Sequence, residues 1–408
     1  MEKIFEFDFL SILISTLYFG LIMSLLILLL SYGNKVKKNA VSSLFIGVTL
    51  YYAFFLLNHV VSFKSIPPDS IYYANIIKDY WNNYDSWSEG VRLYALINFI
   101  PFQLSLKYPV LFVLINIFFF YSGIIFIGKS FMKLMTFYQV SVSNNFMAHL
   151  LLYAAFYPAA FIIVPSLLRE GSMIFFFGLC TFLLTDLYTQ RGQHKRIKLY
   201  IFLSALVLLT LIRPIGGVSY MVAIFLFYLW DFWKKGKLKP IIIGLFSLGL
   251  FIFLINFIVD SFYNMSFSFS WIAQYRASHA ELFGAEAYGT QLDWTGFLSS
   301  MKSSILLFLQ YLFSPFPIII PSEIAFQKII PTIDASFILI SMAPVIFITK
   351  TRPLKMILFF CFILLLIPAM FETHISGAYR HRMNAIVLLL PVFAYTMNKA
   401  LFNLTKRK

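Results

Sequence analysis

The sequence predicts an all-α protein, a polytopic bundle of transmembrane helices with about eleven spans and one re-entrant or broken segment. Three observations predict it. Of the 408 residues 60% are hydrophobic and only 12% charged, against roughly 25% charged in an ordinary soluble domain. Apolar runs of about 20 residues, enough to cross a bilayer as a helix, recur almost from end to end. Between them the bases fall in short clusters. A mean hydropathy of +0.83 excludes a single soluble domain. No stretch is polar and long enough for an attached nucleotide-sugar-binding module, so residues 1–408 read as one integral membrane domain.

The net charge of +15 would point to nucleic acid in a soluble protein, but its distribution points to the membrane. The clusters are Lys35, Lys37, Lys38; Lys129, Lys133; Arg191, Lys195, Arg196, Lys198; Lys234, Lys235, Lys237, Lys239; Lys350, Arg352, Lys355; and Lys399, Lys406, Arg407, Lys408. By the positive-inside rule these mark the cytoplasmic side. They hold 20 of the 32 Lys and Arg, with Asp186 and Asp231 the only acids beside them. Nucleic acid is therefore not an expected partner. Cys180 and Cys361 lie inside apolar runs and read as plain core thiols.

Taken in order, the spans are expected near 9–32, 41–62, 108–128, 146–164, 171–188, 199–212, 215–232, 241–259, 334–349, 356–371 and 383–398. The first follows Met1–Asp8, which carries three acids and one lysine. It reads as an uncleaved signal anchor with the N-terminus outside and the C-terminus cytoplasmic. The segment 303–320 would, as a full span, put Lys350, Arg352 and Lys355 on the wrong side. Its Ser314-Pro315-Phe316-Pro317 break removes backbone donors, so a re-entrant or broken hairpin is expected there. Backbone of that kind survives at membrane depth only against protein or a cavity.

Two long loops then fall on the outer face, at 63–107 and 260–302. In the first, Asp69 precedes Ile71, Tyr72, Ile76, Tyr80 and Trp81 at roughly helical spacing, which predicts an amphipathic helix in the interface. The second is rich in Ser, Tyr and Gly and carries Arg276, His279, Glu281, Glu286 and Asp293.

Six of the ten arginines fall on the outer side: Arg92, Arg169, Arg213, Arg276, Arg380 and Arg382. Arginine keeps its charge and grips phosphate bidentately, so such a cluster suits an anionic lipid phosphate. A charge inside the membrane costs roughly 2.5–3.5 kcal/mol on insertion scales, which favours a cavity or a partner. Each residue also has a plain structural reading. Arg169 could bridge to a neighbouring helix, Arg213 could snorkel to headgroups, Arg276 could be a solvated loop charge, and Arg380 and Arg382 could anchor a helix end. For proton transfer the outer candidates are Asp69, Glu170, Glu281, Glu372, His279 and His374. An N-cap explains Asp69 equally well, and His374 is either a general base or a surface histidine. No HExxH, GxGxxG, P-loop or DxD pattern occurs, so no metal or nucleotide cofactor is expected.

Several short motifs stand out: the Pro68-Asp69-Ser70-Ile71-Tyr72-Tyr73 element, Pro165-Ser166-Leu167-Leu168-Arg169-Glu170, Ile212-Arg213-Pro214, the Ser314-Pro315-Phe316-Pro317 break, and Gly377-Ala378-Tyr379-Arg380-His381-Arg382. Together they resemble bacterial Wzy-type and EpsG-like polysaccharide polymerases. More distantly the chain is similar to GT-C glycosyltransferases, whose first outer loop carries a catalytic acid. The resemblance implies a GT-C-like bundle in the bacterial inner membrane that polymerises polyprenyl-diphosphate-linked oligosaccharides into O-antigen, capsule or exopolysaccharide. It implies a flippase and a chain-length regulator as partners. It places Arg169, Arg213, Arg380 and Arg382 on the diphosphate and makes Asp69 the base candidate, without a metal; the residue reading adds Arg276 to the diphosphate group and Glu372 and His374 to catalysis. Transfer of a single sugar from a polyprenyl-phosphate donor is the alternative. A lipid-linked glycan transporter ranks last, because the charges gather at one face and the two halves do not repeat.

Overall fold

A computed structural model describes residues 9–32, 37–61, 72–73, 75–77, 89–104, 110–166, 168–189, 195–234, 236, 242, 272–278, 292–314, 326–348 and 351–405. All regular elements among these are helices: α1 (Phe9–Ser31), α2 (Lys38–Val61), α3 (Glu89–Leu104), α4 (Val110–Phe137), α5 (Phe146–Ala155), α6 (Pro158–Ile163), α7 (Glu170–Thr189), α8 (Lys195–Ile212), α9 (Pro214–Lys234), α10 (Phe297–Phe313), α11 (Phe326–Ile348), α12 (Arg352–Phe371) and α13 (Ile375–Thr405). Seven have the length and apolar composition to cross a membrane: α1, α2, α4, α7, α11, α12 and α13. The expected span at 241–259 and the Pro315 to Pro317 break lie outside the described residues.

The chain divides into two compact units, one of residues 1–217, 341–353 and 387–408, the other of residues 218–340 and 354–386. In the first unit α4 is the central helix, with Phe112, Ile117, Phe120, Tyr121 and Ile124 wholly buried. It packs against α7 with backbones nearly touching: a Cβ on Gly178 would stand 2.5 Å from the carbonyl oxygen of Gly123. Small residues at such a crossing let two helices exchange dispersion contacts at close range, the main attraction available where the solvent is itself apolar. Tyr51 on α2 donates to the Ala154 carbonyl at 2.6 Å and fixes α2 to α5. Away from this core, α1 exposes Leu13, Leu17, Leu21, Leu25 and Leu28. Their spacing makes one stripe, which needs an apolar surrounding such as lipid.

Three boundaries depart from the expected spans, each for a local reason. The span expected over 146–164 is broken into α5 and α6. Tyr157 is extended (φ −71°, ψ 114°) and Pro158 opens α6, since a residue before proline is driven out of the helical region and proline suits a first helical position. The loop expected over 63–107 contains α3, which buries Tyr94, Ala95 and Asn98. Helix α11 begins eight residues before the expected start at 334. Helix α10 does stop where the sequence predicts, at Ser314 (φ −53°, ψ 133°) before Pro315. In the first loop, residues 72–73 and 75–77 are helical, with Tyr73, Ile76 and Ile77 buried and Tyr72 exposed. Both cysteines are buried and free.

Candidate functional site

Two groups of polar side chains stand out, one in each unit. In the first unit the chain leaves α6, turns through Ser166 and Leu168, and enters α7 at Glu170. Asn116 on α4 holds that turn, its amide nitrogen donating to the carbonyls of Ser166 (2.7 Å) and Leu168 (3.0 Å). Glu170, in the first turn of α7 where the helix dipole favours a carboxylate, has no exposed surface and lies 3.0 Å from Arg213 Nη1. Arg213 stands between α8 and α9, where Pro214 starts the new helix. Arg213 is therefore engaged with protein rather than snorkelling to headgroups. Arg169 donates from Nη1 to the Ile212 carbonyl at 3.1 Å, on the last turn of α8. Its guanidinium also lies over the Tyr73 ring, 5.5 Å from the centroid, a cation–π geometry. Two of the sequence-predicted arginines are thus brought to the same turn, Arg169 bonding the Ile212 carbonyl next to Arg213, with Glu170 on Arg213 and Tyr73 under Arg169.

In the second unit the group surrounds the connection from α12 to α13. Glu372 is 7% exposed and takes its two oxygens to two imidazoles: Oε1 lies 3.0 Å from His374 Nδ1, and Oε2 meets His381 Nδ1. The rings keep about a quarter of their surface, 23% for His374 and 25% for His381. The Thr373 amide adds a hydrogen bond to Oε1 at 3.2 Å. Burial pushes this carboxyl up, but the charge of His381 and hydrogen bonds from both histidines outweigh it and hold Glu372 well below the usual carboxylate range. Gly377 makes room: a Cβ there would run into the Glu372 carboxylate.

Arg276, from the helical stretch at 272–278, is 2% exposed. Its Nη1 donates to the carbonyls of Glu372 (2.5 Å) and Met370 (3.2 Å). It neutralises the C-terminal end of α12, where orphan carbonyls and the dipole favour a cation. The reading as a solvated loop charge is corrected.

Arg382 is corrected in the same way. It has no exposed surface, pairs with Asp334 on α11, and donates to the carbonyls of Tyr311, Leu312, Ser314 and Pro331. A guanidinium with five donors spent on protein acceptors has none for a ligand. Arg380 differs. At two residues' spacing it is rotated about 200° from Arg382 on α13, and it is partly exposed.

Asp69, His279 and Glu281 lie outside the described residues. The sequence reading passed over His381 as a partner of Glu372. The seven-residue spacing of His374 and His381, two helical turns, is the signal that places both on one face. Among the described residues no three His, Cys, Asp or Glu side chains are arranged to hold a metal ion.

Chemically, a carboxylate that accepts Nδ1–H from His381 fixes that ring's tautomer and leaves its Nε2 as the basic nitrogen. The second-unit cluster is thus one oriented base, His381, with a second imidazole, His374, beside the same carboxylate. The first-unit group presents guanidinium charge at a turn between helices. The chain matches no family model, no curated protein and no solved structure.

Proposed function

We propose that this protein is a metal-independent glycan polymerase of the bacterial inner membrane, a GT-C-like bundle of eleven crossings with its N-terminus outside and its C-terminus in the cytoplasm. It joins oligosaccharide repeat units carried on polyprenyl diphosphate at the outer face, working with a flippase and a chain-length regulator. The observation that carries this reading is Glu372 hydrogen-bonded to His381 Nδ1, with His374 Nδ1 3.0 Å from its other oxygen and Arg380 next to His381 in the chain. The chemistry it supports is direct. Nε2 of one histidine takes the proton of an acceptor hydroxyl, the hydroxyl oxygen bonds to the anomeric carbon, and the bond from that carbon to the diphosphate oxygen breaks. Glu372 stabilises the imidazolium that forms, and Arg380 the departing diphosphate charge. In the first unit Arg169 and Arg213 are the groups suited to a phosphate.

The test is a glycan gel on a deletion strain complemented with wild type or Arg380→Ala, resolving lipid-linked and surface polysaccharide by chain length. A single repeat unit without longer polymer, rescued by wild type and not by the variant, is expected. A full-length ladder lacking one sugar would replace this reading with the single-sugar transferase, whose acid would be Asp69. Unchanged glycan in the deletion strain would remove the polymerase reading.

A further inference from the structure

At the far end of α7 from Glu170, about 24 Å along the helix axis at 1.5 Å per residue, the first unit contains a cavity of about 1190 Å³. The ends of α1, α4 and α7, the starts of α2 and α8, and the connection 138–145 enclose it. Among the described residues its charged lining is Lys37, Lys129, Lys133 and Lys198 against the carboxylate of Asp186, a net charge of +3. This volume exceeds the roughly 300–1,000 Å³ of most small-molecule sites, leaving room for more than a small anion.

The lysines are held in place. Asp186, with 7% side-chain exposure, pairs with both Lys133 and Lys198, which keep 27% and 28%. Lys129 donates to the carbonyls of Leu29 (2.7 Å) and Tyr32 (2.5 Å), closing the last turn of α1. Lys133 spends one ammonium donor on Asp186, and an ammonium has three. Around the charges the wall is mixed: Leu30, Met132 and Phe182 lie beside Ser141, Ser143 and Asn144.

We propose that this cavity binds the phosphate headgroup of an anionic phospholipid, with the adjoining acyl segment against the apolar wall. A soluble phosphate would satisfy the lysines but make no use of the apolar surface, whereas an amphipathic anion uses both. The lysine clusters place this end at the cytoplasmic leaflet, which is where anionic lipids attract basic pockets between helices. The inference is independent of the polymerase reading, and neither test bears on the other.

The experiment is native mass spectrometry of the full-length purified protein released from nanodiscs of phosphatidylglycerol, of phosphatidylcholine, or of both. Retained phosphatidylglycerol and no retained phosphatidylcholine are expected. Lys37→Gln/Lys133→Gln lowers the cavity charge to +1 while leaving Asp186 paired with Lys198, and the retained phosphatidylglycerol should fall at least about ten-fold. Asn144→Lys, at an exposed rim position, should increase retention and does not depend on disturbing the lysine pairs. Equal retention by wild type and the double variant, or no gain in Asn144→Lys, overturns the proposal. Displacement of the lipid by millimolar inorganic phosphate overturns it too, by making the site one for a soluble anion.

Discussion

Arg382 donates from Nε to Asp334 Oδ2 at 2.7 Å, and neither side chain has any exposed surface. The pair ties α13 to α11, and through the carbonyls of Tyr311, Leu312 and Ser314 it also fastens the end of α10. Removing one member strands the other charge in a low dielectric, which costs about 3–5 kcal/mol, whereas replacing both with apolar residues is often neutral. Arg382→Met should therefore lower the melting point in detergent sharply, and Arg382→Met/Asp334→Leu should recover most of it. A single variant as stable as wild type would show that the pair contributes nothing.

His381→Ala and Glu372→Gln should reduce polymer formation by about 10²–10⁴-fold, the usual contribution of a positioned acid or base. The amount of protein in the membrane should stay the same. Single-turnover assays on lipid-linked repeat units, with protein quantified by immunoblot, would separate lost chemistry from lost protein.

Glu372 also predicts a pH dependence of stability. Its folded-state carboxyl lies below the ordinary value of 4.5, so the unfolded chain binds the proton more readily. The stabilisation is complete above about pH 4.5 and is lost as the pH falls through the folded value. His374, His381 and the Arg276 guanidinium at the Glu372 carbonyl are the charged groups around it. Melting curves from pH 7 down to pH 3 should show a steeper decline for wild type than for Glu372→Gln, and parallel curves would refute the pairing.

Gly178→Val should separate α4 from α7, because the new side chain meets the Gly123 backbone at once. Overpacking of this kind typically costs about 1–3 kcal/mol, or about five-fold to 150-fold in the folding equilibrium. Heat-induced loss of the monodisperse peak in size-exclusion chromatography would report it. No change would mean the helices can slide apart without penalty.

Much of the helical plan was legible in residues close in sequence. Pro214 announces the start of α9, and Pro315 the end of α10 one residue earlier. The break at Pro158 carried the same signal and was passed over, because a strong apolar run from 146 to 164 masks a local interruption. Helix α3 was missed for the opposite reason: within a loop rich in Tyr, Trp and Asp its apolar face is short, and only burial of Tyr94 and Asn98 against the bundle makes it part of the core.

By itself the sequence determined that the chain is built for an apolar solvent and that its lysines fall in short clusters between the apolar runs. Both follow from composition and spacing, since lipid accepts backbone only as closed helices and translocates clustered bases poorly. Only the tertiary structure decided what each outer arginine does. Arg382 finds Asp334 across 48 residues, Arg213 finds Glu170 across 43, and Arg276 finds the Glu372 carbonyl across 96. Partners that far apart leave no local period to read, and a buried guanidinium takes whichever acceptors the packing brings to it. Arg380, a residue of the same type two positions from Arg382, keeps part of its surface exposed because a helix turns it to another face.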